Sequence, residues 1–235
     1  MEFSKLAAPS LKELFIKEME AMILSGKLEV GEKLPSEREL AERLQVSRGI
    51  VNSGLSELAR KGFLHVKPRS GVYVADYRRH GTIEILLSIL DSNGGHLRRA
   101  EIRSILELKI VLDKLALDLA IPILTEDSLN AVKNKFAAMC EEPQTDRLAE
   151  AAFEFYHEIA MISSNTLLPL IYHSFRIPII YLWTRYIKKN GKEALLGNAA
   201  LVMAAIEDRD VDAAKAALES AVSGAMSGPN EIYED

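Results

Sequence analysis

The sequence predicts a mainly α-helical protein in two parts: three short helices with a β-hairpin, then an all-helical bundle of six or seven helices. Three observations carry this expectation. Between residues 10 and 62, side chains suited to helix N-caps precede apolar residues at helical spacing three times over. Residues 64–74 then alternate apolar and polar about a Pro-Arg-Ser-Gly turn. Beyond residue 82 the spacing stays helical, and no second pair of alternating runs occurs.

Ser10 and Glu13 form the first capping box, ahead of Leu11, Leu14, Phe15, Met19, Met22 and Ile23 on one apolar face. Gly26 ends that helix, and Gly31 and Pro35 mark the loop beyond it. Ser36 and Glu39 form a second box, which opens a short helix through Leu40, Ala41 and Leu44. After Gln45-Val46, Ser47 caps a third helix whose inner face is Val51, Leu55, Leu58 and Ala59. Arg60 and Lys61 sit in its last turn, where the helix dipole favours cations, and Gly62 suits the left-handed residue that follows. Leu64 with Val66, and Val72 with Val74, are the apolar positions of a hairpin closed by Pro68-Arg69-Ser70-Gly71.

The run DYRRHGT (Asp76–Thr82) is short, charged and glycine-containing, which predicts a linker at 77–84 between domains at 1–76 and 85–228. Helical stretches are expected near 82–93, 98–121, 125–140, 145–163, 165–190, 192–207 and 210–226, with Thr125 and Asp210 as caps. Pro169 and Pro178 bend or split the fifth of these. Residues 229–235 are expected to be a polar tail.

Two capped helices joined by a tight turn and followed by a hairpin make the pattern of a winged helix-turn-helix, which sets the first turn of its second helix into the DNA major groove. Here that turn carries Ser47, Arg48, Gly49 and Asn52, away from the apolar face. Arg48 suits a guanine edge or a phosphate, Asn52 suits adenine, and Gly49 lets the backbone approach the phosphate strand. The wing tip adds Lys67, Arg69, Ser70 and Gly71, which suit phosphate contacts. The net charge of −5 does not oppose this, because residues 1–76 hold 12 Lys/Arg against 11 Asp/Glu and the acidic excess lies beyond them.

The run LPSERELAERLQVSRGIVNSGLSELARKGFLHVKPRSGVYV resembles the DNA-binding domain of the GntR superfamily of bacterial transcription regulators. The resemblance rests most on Pro35–Ala41 and Val46-Ser47-Arg48, and it implies that Arg38 also contacts DNA. Asn52 departs from the family pattern, in which arginine is common at that position. The helical part resembles the effector domains of the FadR branch through Ile83–Asp91, Arg103, Ser163-Ser164-Asn165 and Leu182–Arg185. The implied partners are a palindromic double-stranded DNA operator, a second copy of the chain in a homodimer, and a small-molecule effector.

Many effector domains of that branch hold a metal through an Asp and a His one turn apart plus two further histidines. Here those positions fall on Ala152, Tyr156, Ala199 and Ala221, so no metal and no other cofactor is expected. His157 lies one residue out of register and is expected to be structural. The metal-free, seven-helix members of the branch sense long-chain acyl-CoA in fatty-acid metabolism. That implies an acyl-CoA or other organic acid as effector, with a sugar acid as the alternative. The expected effector-binding residues are Arg103, Tyr156, Tyr172, Trp183, Arg185 and Tyr186. Phe155 and Phe175 are further candidates for its apolar wall, and Lys188 and Lys189 for phosphates.

Other classes find less support. No Gly-rich phosphate loop, nucleophile elbow or metal-spaced His/Glu pair occurs, so catalysis is not expected. Apolar runs such as Ile177–Trp183 are far below the ~20 residues of a membrane span, and a cytoplasmic location is expected. The lone Cys140 cannot pair within the chain and is expected to be a small buried or half-buried hydrophobe.

Overall fold

The computed structural model describes residues 9–82, 85, 88, 97, 99–228 and 230–233. The chain divides into two compact units, residues 1–97 and 98–235. Both expected architectures are present: a three-helix unit with a hairpin, and a helical bundle.

In the first unit, α1 (Leu11–Leu24), α2 (Glu37–Leu44) and α3 (Arg48–Lys61) begin at Ser10, Ser36 and Ser47. The hydroxyls of these serines accept from Glu13 N, Glu39 N and Ile50 N, and the first two caps are reciprocal boxes. Each cap satisfies a backbone N–H that the helix leaves without a partner. The Gln45 backbone turns left-handed at φ 53°, and Val46 N donates to Ala41 O, which makes the tight turn into α3. Phe15, Met19, Leu40, Val51, Leu55 and Leu58 meet in one core. Ala59, expected on that inner face, is only half-buried.

Strands β1 (Leu64–Lys67) and β2 (Gly71–Val74) pair antiparallel, with Leu64 opposite Val74. Leu64 is buried, but Val66, expected to share its face inward, is exposed because the hairpin projects beyond the core. The segment expected as plain loop, Gly31–Leu34, lies along the other edge of β2. Gly31 N and Leu34 N donate to Val74 O and Val72 O, and Lys33 bridges to Tyr73. That edge is therefore covered rather than left as an open template.

The expected linker is partly built into this unit. Residues Tyr77–His80 form a one-turn helix, α4, capped by Asp76, and the Tyr77 ring lies 5.8 Å from that of Phe63. A Cβ on Gly62, which has φ 95°, would come within 2.5 Å of His80 O, so the glycine permits both the helix end and this close approach. Lys61 serves as more than a dipole partner. Its Nζ meets Glu20 of α1 at 2.8 Å, and Ser88 Oγ donates to the same buried carboxylate.

The second unit contains α5 (Arg99–Ala120), a 3₁₀ turn (Ile121–Ile123), α6 (Glu126–Glu141), α7 (Thr145–Ile162), α8 (Leu168–Ser174), α9 (Arg176–Asn190), α10 (Lys192–Glu207) and α11 (Val211–Met226). The expected helix near 82–93 lies almost wholly outside the described residues. The fifth expected stretch is split at Phe175: Pro178 has no N–H to return to the preceding turn, so α8 stops and α9 starts afresh. It also begins late, because Asn165 Oδ1 accepts from Leu167 N and Leu168 N and holds a turn ahead of Pro169. Helix α5 packs against α7 and α11, α9 against α7 and α10, and α10 against α11.

Two expectations are corrected here. Cys140 is exposed at the end of α6, although desolvation and the Glu141 charge push its thiol up. The expected polar tail folds back onto the bundle. Ile232 and Tyr233 are buried, and Ile232 N donates to Ala225 O. These two apolar side chains find a site that local composition did not suggest.

Helices α1 and α3 approach closest at Gly54, where a Cβ would stand 2.3 Å from Phe15 Cδ1. Gly54→Val should therefore cost about 1–3 kcal/mol in denaturation, through overpacking. Gly49→Ala should instead stabilise by up to about 1 kcal/mol, because a Cβ there meets only Ser47 Oγ at 3.9 Å.

Candidate nucleic-acid interface and effector cavity

The polar face of α3 begins with the group singled out by sequence. Ser47, Arg48, Gly49 and Asn52 are all exposed, while Val51, Leu55 and Leu58 anchor the opposite face. Ser47 is largely committed to capping. Asn52 Nδ2 donates to Glu37 Oε1 at 3.0 Å, tying the third helix to the start of the second. Arg38 is exposed and, among the described residues, pairs with Glu42 at 2.9 Å. A surface pair of this kind is worth less than about 1 kcal/mol, so the guanidinium is available to exchange Glu42 for another anion.

The wing tip is more organised than its sequence suggests. Ser70 N donates to Lys67 O at 3.0 Å, and Arg69 adopts φ 60° at the apex, leaving its side chain exposed. Gly71 carries φ 127°, a conformation unsuited to a side chain, as the chain re-enters β2. Tyr73, which sequence reasoning missed, supports the tip from β2. Its hydroxyl pairs with Ser70 Oγ at 2.7 Å, and Lys67 Nζ lies 4.4 Å above its ring. A tyrosine three residues after a turn serine is the signal that was present.

In the helical unit a cavity of about 50 Å³ opens among α5, α7, α9, α10 and α11. Tyr156, Trp183 and Tyr186, three of the six candidate effector residues, line it. Tyr156 and Trp183 stack with ring centres 5.5 Å apart. Asn198 Nδ2 donates to the Tyr186 hydroxyl at 3.1 Å. Leu106, Leu182, Leu218, Val222 and Ile232 supply much of the apolar wall.

The other three expected effector residues lie elsewhere. Arg103 is exposed and pairs with Glu107 at 2.8 Å, which raises its pKa. Tyr172 is fully buried, and its hydroxyl donates to Asp113 Oδ1 at 2.7 Å. Arg185 Nε donates to Ile232 O, and on the next turn Lys189 Nζ reaches Tyr233 O at 3.2 Å. These two cations of α9 thus hold the C-terminal segment. Phe155 and Phe175 are core side chains, absent from the cavity wall.

Sequence reasoning also missed Lys109. It is only 4% exposed, yet it lies on the cavity wall. Its ammonium donates to Asp113 one turn on, and stands 4.3 Å from the Tyr156 ring centre and 4.8 Å from that of Trp183. Burial pushes the Asp113 carboxyl up, against the opposing pull of Lys109 and Tyr172. Burial, together with the nearby Asp113 charge, likewise pushes up the hydroxyls of Tyr156 and Tyr172, which stay neutral donors.

Of the four positions tested for metal ligands, Ala152 and Ala199 are buried, while Tyr156 and Ala221 line the cavity. Three alanines bring no donor atoms to a cation. His157 is held by its Nε2 contact with Pro169 O at 3.1 Å and by stacking on Phe153.

Comparison with known proteins bears on both units. Residues 13–74 match the bacterial regulatory proteins of the gntR family, and residues 104–223 match the FCD domain. The chain belongs to the gntR family, with an FCD domain. LutR of Bacillus subtilis, a transcriptional regulator with a helix-turn-helix, is 30% identical over 148 residues, 63% of this chain and 65% of LutR. Mce2R of Mycobacterium tuberculosis, another such regulator, is 36% identical over 110 residues, 47% of this chain and 45% of Mce2R. The matched region thus spans less than two thirds of either relative. A solved structure of Lar, which controls expression of the Listeria monocytogenes agr system, has a TM-score of 0.62 and 13% identity. It covers 94% of this chain and 97% of that one, and this likeness concerns the fold alone.

Within this FCD domain the Lys109–Asp113 pair sets a clear expectation for stability. Asp113→Leu should cost about 3–5 kcal/mol in denaturant unfolding, because it strands a buried ammonium. Lys109→Met combined with Asp113→Asn removes both charges but keeps an acceptor for Tyr172, and should cost markedly less.

Proposed function

We propose that this chain is a dimeric, sequence-specific DNA-binding regulator of transcription whose helical domain senses an organic acid. The observation that carries the reading is the exposed, capped first turn of α3, with Arg48, Gly49 and Asn52, in a small unit that also presents Lys67, Arg69 and Ser70 on a wing. Gly71 gives the wing its turn, and Arg38 adds a cation at the start of α2. Arg48 and Asn52 read base edges, while Arg38, Arg69 and Lys67 meet phosphates. Ser47 caps α3 with its first turn directed at the groove. The relatives' description as transcriptional regulators supports a regulator rather than an enzyme.

Dimerisation follows from the need to read two half-sites, since one small head supplies too little specific contact. An apolar stripe on α5 supports it: Leu108, Val111 and Leu115 recur on one face and are exposed in the single chain. Among the described residues no helix is long and apolar enough to cross a membrane, in keeping with a partner that is DNA. The test is selection from random duplexes, followed by binding of the selected site at several salt concentrations. Inverted repeats should emerge, and single half-sites would overturn the dimer. Arg48→Ala should cost about 1–3 kcal/mol and relax one base position, whereas Arg69→Ala should lower the salt slope by about one. Unchanged binding in both variants would remove the reading.

The effector is assigned to the cavity bounded by Tyr156, Trp183 and Tyr186. Mostly apolar walls disfavour a sugar acid, whose hydroxyls would lose their partners there. A volume of about 50 Å³ suits a compact acid, whereas an acyl-CoA requires Ile232 and its segment to move. Thermal shifts against short carboxylic acids and against acyl-CoAs of graded length separate these. Acids alone should raise the melting temperature, and a shift growing with acyl length would instead establish the CoA ester.

A further inference from the structure

We propose that Lys109 is the anion-recognition residue of the helical domain's cavity, taking the carboxylate of a compact organic acid whose apolar body lies against Leu182, Leu218 and Ile232. The proposal rests on the sensing role argued above and names the residue that decides the class of ligand.

The first argument is where the charge lies. A lysine is rarely buried unless paired, and Lys109 is paired, with Asp113 one turn away on α5. Yet the pair does not close on itself within the core. Asp113 is off the cavity wall, held from behind by the Tyr172 hydroxyl, while Lys109 is on the wall. An ammonium has three donors, and the described contacts occupy one of them, on Asp113. The Tyr156 and Trp183 rings flank it at 4.3 and 4.8 Å, which stabilises the cation but satisfies no hydrogen bond of ordinary strength.

The second argument is what the remaining wall accepts. A cationic ligand is disfavoured because Lys109 already occupies the aromatic faces. A polyhydroxylated ligand is disfavoured because Leu106, Ile179, Leu195 and Val222 offer it no partners. An anion with an apolar body satisfies both halves of the surface. Its carboxylate takes the spare ammonium donors, and Tyr156 and Tyr186 are on the same wall. Asn198 donates to the Tyr186 oxygen, which leaves the tyrosine's own O–H to donate onward. With Ile232 in place, a cavity of about 50 Å³ favours a small acid over a long acyl chain.

Trp183 is the sole tryptophan of the chain and lies on this wall, so its emission reports on the site directly. The full chain would be titrated with propionate and with propionamide, a neutral mimic of the same shape, reading Trp183 emission and melting temperature. Propionate should bind about ten- to a hundredfold more tightly, as expected for hydrogen bonds to a charged donor. Lys109→Arg should keep the preference for the anion. The double variant Lys109→Met/Asp113→Asn, which strands no charge, should bind the two probes equally while its circular dichroism is unchanged. Equal affinities in the unaltered protein, or a preference that survives the double variant, would overturn the role of Lys109 and leave the sensing cavity standing. No response to either probe at millimolar concentration, in emission or melting, would overturn both.

Discussion

A lysine held out of water has to be neutralised, and much of the helical unit is arranged around doing that for Lys109. Asp113 shares its helix one turn on, so the ion pair is secured by local geometry. The remaining support comes from three other helices: Tyr172 on α8 bonds the carboxylate, Tyr156 on α7 and Trp183 on α9 face the ammonium. Four helices are therefore tied to one buried charge. Their packing leaves a cavity beside it instead of closing over it.

The first unit solves a different problem in a similar way. Its third helix must be anchored on one side and bare on the other. Val51, Leu55 and Leu58 anchor it, Gly54 lets α1 approach closely, and the Ser47 cap holds the first turn helical without drawing in side chains from elsewhere. The contacts that hold the candidate DNA residues are weak surface ones, Arg38 on Glu42 and Asn52 on Glu37. Such contacts keep long side chains oriented at small cost and can be exchanged for phosphate or base. Tyr73 does the same for the wing.

How far the sequence can be followed depends on the range of the interaction involved. Capping boxes span three residues, and all three serine caps, the Gly62 terminus and the split near Pro178 were legible because each is decided within one turn of chain. The aromatic members of the cavity were half legible. Trp183 and Tyr186 lie on the α9 face that packs inward, but nothing local separates them from Tyr172, which points at Asp113 instead. The cations of this unit could not be sorted by sequence for a related reason. Arg103, Lys109 and Arg185 look alike as isolated cations, yet one is at the surface, one is buried, and one binds the backbone of a segment 47 residues away.

The sequence by itself thus determined the three capped helices of the first unit, the hairpin and the polar face of α3, since periodicity and caps act over a few residues. Only the tertiary structure decided which lysine faces the cavity, that Gly31–Leu34 covers the wing's edge, and that Ile232 and Tyr233 fold back against the bundle. Those outcomes turn on desolvation and on partners distant in the chain. A charge or an apolar side chain carries no local mark of the surroundings that folding will give it.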